Sequence, residues 1–442
     1  MNRPSILSLA SALLLCAGAA SAQNVLTRAG VDAGPVVITG AMVHAVAQPA
    51  RENARIRFEG GRITAIGGDE VSLDGARVVD ASGKHVYPGF VVASSVTGLV
   101  EIGAVRATVD TAEVGAVNPN VRAEVAVNPD SELIPVTRAG GVLTAHVHPI
   151  AGQQGVVTGT SAVLAMDGWT VEDMLVRAPV GMHVEWPSLL LPEFLPPAMI
   201  DATRKAQEEK RTALERAMAD ARAYASARAG GQVRQPDLRW EAMLPVLERK
   251  LPMHVHANDI EAIEDALDFA ARHEVDIVIV GGLEAWRVAP LLKARDIPVI
   301  IGGTHVLPLR RGDPYDAIYR NPARLAEAGV RFAIAGQGDV FTSPNERNLP
   351  FHAASAVAHG LPYDEALKAI TLYPAQLLGV ADRLGSLEPG KDATLFIADG
   401  DALEMGTVIE AAWIRGRAVD LANRHRALYE KYRDKYAQPS GR

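Results

Sequence analysis

Cysteine is almost missing from this chain: one occurs in 442 residues, Cys16, inside an apolar N-terminal run. Beyond that run the protein can form no disulfide, offer no thiol nucleophile and hold no thiolate-bound metal. A metal site must therefore be built from His, Asp, Glu or a lysine-derived group. No apolar stretch reaches the roughly 20 residues that a spanning helix needs, so no membrane span is expected. Excess positive charge is also absent, with 44 Lys and Arg against 52 Asp and Glu and a net charge of −8. That mild acidity excludes nucleic acid as the expected main partner and leaves a small molecule. Nor does a G-x-G-x-x-G turn follow the first candidate strand of the main domain, which argues against an open doubly wound sheet.

What is present divides the chain into segments. Arg3, the apolar run 6–20 and Ala20-Ser21-Ala22 before Gln23 have the form of a 22-residue secretory leader, and an exported, periplasmic product is expected. Leu15 is not the small residue a lipoprotein signal would place before Cys16. Loss of Arg3 with the leader takes the net charge from −8 to −9. The remaining chain is long enough for one large and one smaller domain; homo-oligomer formation stays open. Residues 23–87 read as short strands, VVITGAMVHAV, ARIRFEG, GRITAIG and ARVVDA, with GGDE at 67–70 as a turn between two of them.

From 88 to 384 apolar runs alternate with helical stretches. The candidate strands are PGFVVAS, GVLTAHVHP, SAVLAMD, GMHVEWP, PMHVHA, DIVIVGG, PVIIGGT and RFAIAGQ. Runs of this kind predict parallel strands buried on both faces, and eight of them predict an α/β fold of the (β/α)8 TIM-barrel type. A charged helical insertion at about 196–229 reads as a solvated helix packed on the barrel. Residues 385–420 return to β character, and 421–442 end the chain as a charged helix.

These segments carry a family likeness. VVITGAMVHAV, FEGGRITAIG and VVDASGKHVYPGF at one end, and DEALKAITLYPAQLLGVADRLGSLEPGKDATLFIADGD at the other, resemble the amidohydrolase superfamily, most closely its imidazolonepropionase-like branch. The resemblance implies a barrel flanked by a small β-sandwich built from both chain ends. It also implies a site at the C-terminal strand ends and a hydrolytic water activated by one or two divalent metals, usually zinc. The family's ligand pattern is met only in part, so a degenerate ligand set is expected. The first strand should end in His-x-His but carries Ser94 and Val96. The fourth offers His183, and the fifth has His256 with His254 two residues before it. The sixth has Gly281 and Gly282, and the eighth reaches an aspartate only at Asp339.

Histidines elsewhere could rebuild the site. His146 and His148 sit i, i+2 near the end of the second strand, as His254 and His256 do on the fifth, so each pair shares one face. With His183 these five form the candidate metal set, since neutral imidazoles suit Zn²⁺. Asp339 is the favoured proton shuttle, with Glu185 the other candidate. His305, Arg310 and Arg311 are candidate substrate-binding residues, the arginines through bidentate pairing with a carboxylate. Asn345, Arg347 and Asn348 could line the same pocket. His44 and His85 read as scaffold, His273, His352, His359 and His425 as surface, and Trp169 and Trp186 as core or rim. Two functions stay open. One is an exported metal-dependent hydrolase of a carbon–nitrogen bond in a small cyclic amide, dipeptide or related compound. The other is an inactive barrel serving as a periplasmic binding or scaffold protein.

Overall fold

The computed structural model describes residues 34–152, 154–191 and 196–438; the candidate leader lies outside them. Strands from both ends of the chain join one eight-stranded sheet. Its order runs Arg417–Val419, Ile409–Ile414, Leu395–Ala398, His85–Pro88, Val36–Val43, Arg51–Glu59 and Arg62–Gly67, with Arg77–Asp80 also pairing with Val36–Val43. The sheet curls over a core of Ile38, Ile56, Phe58, Ile63, Leu395 and Trp413. Its far edge is tied back, because Ile63 N–H donates to the Lys391 carbonyl and Gly390 N–H to that of Ile63.

Eight barrel strands follow. They are Phe90–Ser95, Val142–Val147, a third built of Val157–Thr160 and Ala162–Ala165, then Met182–Glu185, Met253–Ala257, Ile277–Gly281, Val299–Ile301 and Phe332–Ile334. Alternate residues point to opposite faces. Ile277, Ile279, Val299, Ile301, Phe332 and Ile334 join the helix-covered core with Ile263, Ala266 and Leu267. Their neighbours Val278, Val280, Ile300, Ala333 and Ala335 form a separate cluster with Ala93.

The barrel is not wholly parallel, which corrects the expectation for SAVLAMD. Ala162–Ala165 runs antiparallel to Val142–Val147, and Val157–Thr160 antiparallel to Met182–Glu185. A parallel return needs a crossover of about a dozen residues or more, usually helical, and the short connection 148–156 holds no helix among its described residues. The chain must therefore turn straight back.

The insertion forms one helix, Pro197–Ala229, whose only buried residues are Leu214, Ala217, Met218 and Ala221. It lies against helix Ile260–His273: Arg211 pairs with Asp265, and Glu215 with Arg272 and His273. It covers the outside of the barrel. Among the described residues no helix is long and apolar enough to cross a membrane.

Phe396 joins the two units. Its ring lies 5.0 Å from Phe90 and 5.5 Å from Tyr87, and a Cβ on Gly141 would meet it at 3.0 Å. Phe396→Ala is expected to cost about 3–5 kcal/mol, read as a lower midpoint in chemical denaturation.

Candidate metal centre

The two His-x-His pairs face the barrel interior, as strand parity requires. His146, His148, His183 and His254 are buried, and His256 stands partly exposed. Met182–Glu185 and Met253–Ala257 are parallel neighbours in which His183 pairs with His254 and Glu185 with His256. The antiparallel third strand separates them from His146 and His148, yet the rings meet across the interior. Ring centroids lie 5.1 Å apart for His146–His254, 4.9 Å for His183–His254, 4.5 Å for His148–His183 and 5.0 Å for His148–His256. Two groups of three can each bring one ligand atom per residue within 4.8 Å of the others: His146, His183 and His254, and His148, His183 and His256. The expected degeneracy is thus corrected. The first strand gives no imidazole, but five from three other strands converge.

The backbone fixes which nitrogen is free. His146 Nδ1–H donates to the Ala93 carbonyl at 2.7 Å, leaving Nε2 as an acceptor 2.7 Å from Ser161 Oγ. His148 repeats the pattern: Nδ1–H donates to the Pro149 carbonyl at 3.2 Å, and Ser94 Oγ donates to Nε2 at 2.9 Å. Holding one imidazole N–H on a carbonyl is how proteins orient a ligating histidine. Ser94 reaches His148 because the register shifts between Val92 and Ser95, an irregularity that re-aims a side chain. The residue in the expected ligand's place therefore orients another strand's imidazole.

The remaining nitrogens are poorly served. His183 Nδ1 lies 2.8 Å from His256 Nε2, but His183 Nε2 and both nitrogens of His254 are buried without a partner. Orphaned buried polar atoms are costly, and His183 Nε2 and whichever His254 nitrogen lacks the ring proton each leave a lone pair open to a cation. All five rings are also neutral, as ligation demands. Burial, then repulsion from His148, lowers His146 from 6.5 to about 3, and burial lowers His148 to about 4. Burial and mutual repulsion hold His183, His254 and His256 well below 6.5.

The other candidates part company. Asp339 belongs to neither triad, and its Oδ1 accepts the backbone N–H groups of Phe341 and Thr342, each at 2.8 Å. Glu185 shares a face with His183 and stands beside His256. Burial raises its carboxyl pKa against the pull of Lys210. Arg310, expected on a substrate carboxylate, gives its bidentate fork to Glu284 at 2.7 and 3.0 Å and also contacts Glu261. Arg311 is exposed, and Arg347 donates to the Pro344 carbonyl. His305, Asn345 and Asn348 line a cavity of about 270 Å³ beside the seventh and eighth strands. His352, expected at the surface, is in its wall, and Glu346, absent from the sequence candidates, lines it too. Trp186 is core, packed on Phe269, whereas Trp169 is exposed. His44 and His85 stack with Tyr87 away from the barrel interior.

Two outcomes follow for the centre. Unfolded imidazoles take up protons near pH 6.5, while the folded ones resist to about 4 or lower. In that window the unfolded chain binds more protons, so stability of chelator-treated protein should drop as pH falls from about 6.5 to about 4. Denaturation midpoints across that range check it. A Cβ on Gly181 would lie 2.5–2.8 Å from the His254 ring, so Gly181→Ala should cost about 1–3 kcal/mol and reduce bound metal together.

Residues 319–420 match the Amidohydrolase family model. Amidohydrolase tasK of Hapsidospora irregularis is 28% identical over 193 residues, 41% of this chain and 19% of that protein. The imidazolonepropionase of Mesorhizobium japonicum is 28% identical over 149 residues, 34% of this chain and 35% of that protein. The chain thus spans from about a fifth to about a third of these curated relatives. An amidohydrolase from Thermotoga maritima MSB8 superposes with a TM-score of 0.77 at 26% identity, covering 87% of this chain and 99% of that one. Its family match over residues 319–420, its fold and its inward-facing histidines all make the chain similar to amidohydrolases.

Proposed function

We propose that the protein is an exported, metal-dependent hydrolase acting on a carbon–nitrogen bond of a small cyclic amide, dipeptide or related compound. The observation that carries this reading is the trio His146, His183 and His254, buried and neutral, in which His183 Nε2 and the His254 ring lack any partner. Either triad could hold a divalent ion, zinc first among them, because each offers imidazole donors only. When bound, such an ion supplies a water that ionises near neutral pH and a polarised carbonyl.

The chain's own residues do the rest. Nδ1–H bonds to Ala93 and Pro149 keep His146 and His148 in the tautomer whose Nε2 faces inward. Glu185 takes the proton of the attacking water and delivers it to the leaving nitrogen, a role that a carboxyl with raised pKa suits. Asp339, the other candidate for that role, has its Oδ1 engaged by the N–H groups of its own turn. The export part of the reading rests on the leader-like residues 1–22.

Metal analysis and turnover test the proposal. Protein purified without added metal should carry a divalent ion, and His183→Ala and His254→Ala should lose both the ion and hydrolysis of small amides. Glu185→Gln should keep the ion and lower kcat about 10²–10⁴-fold. Stable metal-free protein in which His148→Ala and His256→Ala change neither ligand affinity nor turnover would favour the inactive binding protein instead.

A further inference from the structure

The cavity beside the seventh and eighth strands contains a buried acid with half its bonding unmet. Glu346 comes from the short turn Ser343–Asn348 and is 5% exposed. Its Oε2 accepts Thr97 Oγ1–H at 2.6 Å. Its Oε1 is buried without any partner. Among the described residues no lysine or arginine lines the cavity.

The histidines in the wall do not supply the missing charge. Burial lowers His352 to about 4, and burial lowers His305 as well. Thr304 N–H donates to His352 Nδ1 at 3.1 Å, which places that ring's proton on Nε2. The other polar side chains at the wall are the Thr342 hydroxyl and the amides of Gln337, Asn345 and Asn348, each amide with a carbonyl-type acceptor. Burial pushes the Glu346 carboxyl up to about 7. A buried carboxylate in this setting is strongly disfavoured unless a cation or strong donor reaches it. An anion would find no cationic side chain in that wall to offset the Glu346 charge.

We propose that this cavity is a binding subsite for a primary ammonium group, which the Glu346 carboxylate holds while amide oxygens of Gln337, Asn345 and Asn348 take its remaining protons. An ammonium offers three donors and one charge, the complement of this wall. The subsite adjoins the histidine cluster: Gly338, next to Gln337, packs so closely on Ser94 and His148 that a Cβ there would lie 2.2 Å from Ser94 Oγ and 3.0 Å from His148 Nε2. Calling the bound amine part of a substrate rests on the hydrolase reading; the ammonium binding itself does not. On that reading the substrate carries a free amine close to the bond that is cut.

The test uses the full chain after chelator treatment, so that its outcome is independent of any metal. Isothermal titration at pH 8 and constant ionic strength compares n-propylammonium chloride with propanol and sodium propionate. Wild type should bind the ammonium saturably and bind neither of the other two. Glu346→Gln, which keeps the shape and removes the charge, should stay folded by circular dichroism and bind at least about tenfold more weakly. Asn348→Ala should weaken binding less. Equal affinity in wild type and Glu346→Gln, or propanol binding as well as the ammonium, would overturn the subsite. So would no saturation up to about 50 mM. A failed titration leaves the metal content of the histidine mutants to judge the hydrolase reading separately.

Discussion

Everything about this site depends on keeping five imidazoles uncharged inside a barrel. Charged, they would repel one another in a low-dielectric interior; neutral, each presents a lone pair. Burial enforces the neutral state, and backbone carbonyls choose the tautomer for His146 and His148. The opposite part of the interior is apolar and small-sided, with Ala93, Val278, Val280, Ile300, Ala333 and Ala335. The histidines therefore concentrate on the second, fourth and fifth strands.

The scaffold serves that concentration in particular places. Reversal of the third strand brings Ser161 onto His146, at the cost of a parallel ladder. Gly181 leaves room for the His254 ring, and Gly338, at φ +66°, leaves room for Ser94 and His148. Ser94 itself is one hydroxyl in the place of an expected ligand, and it acts by orienting a neighbour's imidazole.

Much of this was legible in the sequence because strand periodicity is strict. The i, i+2 spacing of His146 with His148 and of His254 with His256 forces each pair to one face, and His183 falls on the adjoining strand. The apolar runs marked the barrel strands but carried no direction, so the antiparallel third strand was invisible; only the helix-free connection 148–156 hinted at it. Arg310 looked free because its partners, Glu284 and Glu261, are distant in sequence. Glu346 sits in SPNERNLP, where its neighbours Asn345, Arg347 and Asn348 read as pocket residues and the acid between them did not. Its burial depends on Thr97, 249 residues away, which no local pattern reports. His352 was hidden the same way: a helical histidine reads as surface until the packing of Thr304 places it in a cavity wall.

The most direct test of the account is anomalous diffraction at the zinc edge from crystals of zinc-loaded protein. The account predicts a peak inside the barrel about 2.0–2.1 Å from nitrogens of His183 and at least two of the other four histidines. A map with no peak there, or with zinc bound only at the surface, would contradict it.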